Sequence, residues 1–217
     1  MTQDTLTLAL PAAVLAERLI QGAVALMPTD TLPALAARPA FASRIWELKQ
    51  RPLEKPLILM GADQAQLEAV LGRPWRPEWL AMAAQGWPGP LTLVLPASGS
   101  LIDQLHPGGR SLGLRIPACA EARELLACSG VLATTSANPS GVPAARDAEA
   151  ARRFFPALPM LAPIPWPAAS GQASTVLAWE GGSDPAAAPR WRVLRAGASL
   201  PREAETQARG PARPGAP

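Results

Sequence analysis

Apolar positions along this chain switch repeatedly between a helical and an extended period. Residues 12–21 show the helical spacing, with Val14, Leu15, Leu19 and Ile20 on one side and Gly22 as the stop. Residues 23–27 form a short unbroken apolar run that predicts a buried strand ending at Pro28-Thr29-Asp30-Thr31. A second strand over 32–36 is weakened by Pro33, which has no N–H to give a ladder. Further helices are predicted over 41–48, from an Asp63 cap to Leu71, over 78–85, over 121–128, and from an Asp147 cap to Phe155. Further strands are predicted over 57–60, 91–95, 111–116, 131–134, 160–164, 175–179 and 192–194. Such alternation predicts an α/β fold with a twisted, mixed parallel and antiparallel sheet flanked by helices.

The chain has 217 residues, 48% hydrophobic and 17% charged, enough to bury a core without disulfides or structural metal. One domain over 1–199 is expected, followed by a Pro/Gly/Ala-rich tail over 200–217 that reads as disordered. No apolar run reaches the ~20 residues of a membrane span, and a leader pattern is not evident, so a cytoplasmic protein is expected. Cys119 and Cys128 stand nine apart across a predicted helix, roughly 13 Å, beyond disulfide reach. With one histidine and no Cys-x-x-Cys pair, a structural zinc site is excluded.

Arginine outnumbers lysine eighteen to two, and asparagine occurs once. Such drift makes the positions that kept a rare residue worth reading first. Lys49 and Lys55 share one stretch with Arg51, and Asn138 sits in Thr134-Thr135-Ser136-Ala137-Asn138.

Neither standard phosphate-binding glycine motif is present, and His106, followed by Pro107-Gly108-Gly109, has no triad partners and is expected in a turn. What remains is cations and hydroxyls. Lys49, Arg51 and Lys55, broken by Pro52, can wrap a polyphosphate, or can form a basic surface loop paired with Glu54. Ser111 and Arg115 lie four apart on a predicted strand and share a face. Arg115, between Leu114 and Ile116, needs an anion, whether a ligand or a structural carboxylate. Residues 134–141 offer hydroxyls and an amide to a ligand, or make a plain Asn-Pro-Ser-Gly turn.

Taken together, these segments resemble the TsaC/YrdC family of L-threonylcarbamoyladenylate synthases in its single-domain form. The resemblance rests on Pro28-Thr29-Asp30-Thr31, Lys49-Gln50-Arg51-Pro52 with Lys55-Pro56-Leu57, and Trp87-Pro88-Gly89-Pro90-Leu91-Thr92. It continues through Leu114-Arg115-Ile116-Pro117, Ser136-Ala137-Asn138-Pro139-Ser140-Gly141, Ser174-Thr175-Val176 and Leu194-Arg195-Ala196-Gly197, in that order over residues 10–197. It implies a YrdC-like sheet with a concave basic surface. It also implies an enzyme, a nucleotidyltransferase that makes threonylcarbamoyl-adenylate and pyrophosphate from L-threonine, bicarbonate and ATP. Magnesium would come as Mg-ATP. Downstream, a transferase complex would place the threonylcarbamoyl group on tRNA.

Carried over by motif, Arg51, Lys55, Ser111, Ser136 and Arg195 would bind ATP. Thr31, Arg115, Thr134 and Ser174 would hold threonine, and Lys49, Arg51, Ser136 and Asn138 would form the catalytic set. Departures from the family pattern fall at the amino-acid end. Leu32-Pro33-Ala34-Leu35 replaces the usual Val-Tyr-Gly-Leu, Met60 stands where a histidine is frequent, and residues 164–173 lack the glycine-rich approach to Ser174. They motivate an alternative: a catalytically altered paralogue serving as an RNA-binding, ribosome-associated module that grips phosphates through basic side chains.

Overall fold

The computed structural model describes residues 8–71, 73–181 and 190–202. Among these residues ten strands form one sheet: β1 (Ala9–Leu10), β2 (Val24–Met27), β3 (Ala34–Ala37), β4 (Ile58–Met60) and β5 (Leu91–Pro96), then β6 (Ser111–Arg115), β7 (Leu132–Ser136), β8 (Met160–Leu161), β9 (Thr175–Trp179) and β10 (Trp191–Arg195). Their order is β1-β8-β2-β3-β7-β4-β6-β5-β9-β10. β8 runs parallel to β1 and β2, β4 to β6, and β5 to β9, while the other pairs are antiparallel. The expected mixed sheet is therefore the observed one.

Seven α-helices accompany it among the described residues: α1 (Ala12–Ile20), α2 (Ser43–Lys49), α3 (Gln64–Val70), α4 (Pro77–Ala84), α5 (Ser100–Leu105), α6 (Ala120–Ser129) and α7 (Ala148–Phe154). The side-chain period of two sorts each strand between faces. Leu26, Leu35, Leu59, Leu93, Leu114 and Ala133 point to the larger core, where Ile45, Trp46, Leu67, Trp79, Met82 and Leu105 come from the helices. Ala25, Met27, Ala36, Met60 and Leu132 point the other way, onto Leu15 and Leu19 of α1 and Leu125 and Leu126 of α6. These two helices shield only part of that second face. Its remainder, carrying Ile58, Thr92, Val94, Gly113, Arg115, Thr134 and Ser136, stays uncovered and lines two hollows.

Several expectations need adjustment. On α1 the buried stripe is Ala12, Leu15, Ala16 and Leu19, whereas Val14 and Ile20 are exposed, because the narrow contact with α6 admits only the central row. The strand expected to begin at 32 begins at Ala34, just past Pro33. That expected over 160–164 stops at Leu161, since Pro163 and Pro165 cannot donate to a ladder. β7 runs on to Ser136 because Thr135 and Ser136 pair with Leu35 and Ala34. Helix α5 was not anticipated. Its six residues are too few for a visible period, yet Ile102 and Leu105 are buried. Of the expected tail, residues 203–217 lie outside the described residues. Just before them, the Ser199 carbonyl accepts from Thr175 Oγ1 and Pro201 is buried.

Candidate active site

Turns at the ends of the strands bring the polar motifs to the uncovered face. Between β2 and β3, Thr29 Oγ1 accepts from the amides of Thr31 and Leu32 at 3.1 Å each, closing a turn that buries Thr29 and Thr31. The amides of Ser170 and Gly171 donate to the carbonyls of Asp30 and Thr31 at 3.0 Å, so the proline-rich 164–173 stretch braces this turn from outside.

Arg115, on β6, reaches the same turn. Its Nη1 donates to Thr31 Oγ1 at 2.8 Å, its Nη2 to Asp30 Oδ1 at 2.8 Å, and its Nε to the Gly89 carbonyl at 3.0 Å. The structural carboxylate considered for Arg115 is thus Asp30, which also accepts from the Ala118 amide at 2.9 Å. Each Nη retains a second N–H for a ligand. Motif spacing gives Asp30 no role, although an acid three residues after a buried strand is a natural partner for a buried arginine.

The second wall comes from α2 and the loop after β7. Helix α2 ends at Lys49 because Gln50 adopts the left-handed conformation (φ 49°), which turns Arg51 away from the helix axis. Lys49 is buried, and its Nζ donates to the Ser136 carbonyl at 2.5 Å and to both the carbonyl and the side-chain oxygen of Asn138. Burial, and secondarily the Arg51 charge, pull the Lys49 ammonium down to about 8. Asn138 is saturated: Oδ1 accepts from Ser136 Oγ at 2.6 Å, and Nδ2 donates to the carbonyls of Pro139 (3.0 Å) and Val142 (2.6 Å). Lys49 and Asn138 therefore set the shape of the loop that presents Ser136.

Arg51 is held by its own turn, Nε and Nη2 donating to the carbonyls of Lys55 (3.2 Å) and Pro56 (3.1 Å). Lys55 is exposed at the rim. Across the hollow, Arg195 of β10 donates from Nε to the Ser174 carbonyl (3.0 Å) and from Nη2 to Ser174 Oγ (3.1 Å). Ser174 Oγ also bonds to the buried Thr92 Oγ1 at 2.9 Å. Motif spacing gives Thr92 no role, though its alternation with Leu91 and Leu93 places a hydroxyl on the site face. Thr134 Oγ1 donates to the Ile58 carbonyl at 3.0 Å.

Two adjoining hollows result. One, of about 190 Å³, is lined by Thr31, Met60, Arg115, Thr134, Ser136 and Ser174. The other, of about 600 Å³, is lined by Lys55, Ser111, Gly113, His106 and Trp179. Arg51, Pro56, Ile58 and Arg195 belong to both and form the boundary between them. Lys49 and Asn138 stand behind the boundary and line neither of the two. Burial lowers the guanidinium groups of Arg51, Arg115 and Arg195 below their usual range, and for Arg115 the Asp30 charge opposes this while Arg195 adds to it. Among the described ion pairs only Arg115 of these three has an acidic partner. Cations part-way out of water and largely without counter-charge make an anion site.

The Sua5/YciO/YrdC family model, described as "Telomere recombination", matches residues 17–197. The chain belongs to this family. A relative from Halorhodospira halophila named threonylcarbamoyl-AMP synthase is 38% identical over 144 residues, covering 64% of this chain and 75% of its own length. P. abyssi Sua5 in complex with L-threonine superposes with a TM-score of 0.71 at 32% identity, over 77% of this chain and 50% of that one. A doubly substituted P. abyssi Sua5 superposes at 0.77 with 31% identity, over 88% and 57%. This family member thus spans little more than half of the Sua5 chains it resembles.

Proposed function

We propose that this Sua5/YciO/YrdC-family chain is a threonylcarbamoyl-AMP synthase, an enzyme that joins L-threonine, bicarbonate and ATP and releases pyrophosphate. The observation that carries this reading is the pair of hollows sharing Arg51 and Arg195, one sized for an amino acid and one for a nucleotide. Similarity to proteins named threonylcarbamoyl-AMP synthase, and to a Sua5 whose complex holds L-threonine, supports it.

In this reading threonine occupies the smaller hollow, its carboxylate on the free N–H groups of Arg115, with Thr31, Thr134 and Ser174 around it. Bicarbonate takes up a proton and loses water to give carbon dioxide, and the neutral amine adds to it and releases a proton, leaving a carbamate. A carbamate oxygen then attacks the α-phosphorus across the shared boundary, and the bond to the pyrophosphate oxygen breaks. Arg51, Lys55, Ser136 and Arg195 hold the triphosphate and the charge that moves onto the leaving group, with Ser111 further along the hollow. Lys49 and Asn138 keep the Ser136 loop in place. In-line transfer at phosphorus asks mainly for positioning and charge stabilisation, which this set of fixed cations supplies.

Magnesium would arrive as Mg-ATP, supplying charge on the phosphates while Arg51, Lys55 and Arg195 grip them. A tRNA-modifying transferase complex is the proposed consumer of the adenylate, and the cytoplasm the proposed location. No helix among the described residues is long and apolar enough to cross a membrane.

The deciding experiment measures pyrophosphate release by the purified chain as each substrate is omitted in turn. Release is expected only with threonine, bicarbonate and Mg-ATP together. Release that is indifferent to threonine would overturn the reading.

A further inference from the structure

The larger hollow carries, beside its cations, the only histidine of the chain. His106 follows α5, and its Nδ1 lies 2.9 Å from the Ser111 carbonyl oxygen. A carbonyl oxygen has no proton to give, so in the neutral ring Nδ1 carries the hydrogen and Nε2 keeps a bare lone pair. The turn that follows holds the ring in place. The Gly109 amide donates to the His106 carbonyl at 2.8 Å, and a Cβ on Gly109 would come within 2.2 Å of Nδ1.

Strand β6 supplies a floor leading from the cations to this end. Arg115 and Ser111 mark its two ends, about 13 Å apart at the usual rise per residue. Between them Gly113 pairs with Ile58 on one side and Val94 on the other. No side chain rises from position 113, which leaves a flat apolar strip suited to a planar ring. A triphosphate gripped by Arg51 and Arg195 would lay its base along this strip toward His106.

We propose that His106 is the base-reading residue of the nucleotide hollow. Its Nε2 accepts a hydrogen bond from the exocyclic amine of adenine and faces the exocyclic oxygen of guanine lone pair to lone pair. The proposal rests on the reading of this hollow as a nucleotide site. It adds a specificity determinant to that reading and leaves the chemistry at phosphorus unchanged.

Calorimetric titration of the full chain with ATP, GTP and purine riboside triphosphate, which lacks the amine, tests it on wild type, His106→Ala and His106→Gln. Wild type is expected to prefer ATP over the amine-free analogue by about tenfold, the worth of one well-made hydrogen bond, and over GTP by more. His106→Ala should bring the three affinities together by weakening ATP and relieving GTP, with the amine-free analogue unchanged. His106→Gln, whose amide oxygen can accept, should keep part of the preference. Equal wild-type affinity for ATP and the amine-free analogue overturns the proposal, as does uniform weakening of all three by His106→Ala. Base-selective binding without threonine-dependent pyrophosphate release would sink the synthase reading while leaving His106 in its role. Absence of any nucleotide binding would sink both.

Discussion

The Lys49 ammonium is bonded to both oxygens of Asn138, the carbonyl and the side-chain amide, although 89 positions separate the two residues. This contact welds the end of α2 to the loop after β7. Two of the chain's rarest residue types thus meet at one point, behind the cations that line the hollows.

Replacing Lys49 with methionine keeps the apolar stem and removes the donors, leaving the carbonyls of Ser136 and Asn138 without their partner. The expected stability loss is about 2 kcal/mol by urea denaturation, the cost of orphaned acceptors less the relief of a buried charge. Nucleotide affinity should fall as well, because the Ser136 loop relaxes. A variant with wild-type stability and affinity would show that the weld is dispensable.

Because burial holds the Lys49 ammonium at about 8 against 10.5 in an unfolded chain, the folded protein binds fewer protons between those values. Stability contributed by this group therefore rises as pH increases from 8 towards 10.5, and the full penalty of the buried charge applies below 8. With only two lysines in the sequence, lysine-labelled NMR gives two signals. One is expected to titrate near pH 8. The wild-type advantage over Lys49→Met should grow across the same interval, and a Lys49 signal that stays flat to pH 10 contradicts the burial argument.

Lys55→Ala and Arg51→Ala should each weaken ATP binding by about 1.5–3 kcal/mol, the worth of a charge-assisted contact. Lys55 is the cleaner test, since its exposed side chain is not among those bonded within the loop, whereas Arg51 also ties the turn at Lys55 and Pro56. Unchanged affinity in both variants, read by calorimetry, would remove the phosphate grip from this loop.

Asp30→Ala strips a buried guanidinium of its only acidic partner among the described residues. A loss of about 3–5 kcal/mol is expected, as for other broken buried pairs, with Asp30→Asn milder because it keeps an oxygen for Arg115 and the Ala118 amide. Thermal melts of the two variants rank them, and equal melting points would deny the pair its structural role.

Gly113→Val should abolish ATP binding while sparing threonine. The added Cβ itself meets Thr92 and Ile58 at 3.4–3.5 Å, ordinary contact, so the fold tolerates it. Its branches, however, rise into the larger hollow only. Titration of each substrate separately, alongside a melting curve, checks the asymmetry.

Where the fold was legible in sequence, periodicity carried it. Leu91, Leu93 and Leu95 announce β5 by alternation, and the Asp63 and Asp147 caps are bonded to the Gln66 and Ala150 amides at 2.9 and 2.7 Å. Short elements such as α5 hold too few residues to show a period. For the site, the motifs named the residues that meet in the two hollows, but motif reading cannot tell a wall from its brace. Lys49 and Asn138 carry the same signal as Arg51 and Ser136, and only their three-dimensional partners set them apart: Lys49 is buried against the loop, and the Asn138 side chain is bonded within it. Asp30 and Thr92 escaped for another reason: their work depends on partners tens of residues away, Asp30 on Arg115 and Thr92 on Ser174, which no local spacing records.

Arg195 belongs to β10, the last strand among the described residues, which pairs there only with β9 at the sheet's edge. Both hollows therefore lean on an edge strand with a single neighbour, and any truncation before Trp191 leaves nine of the described strands around a gap where Arg195, a cation common to both hollows, should be.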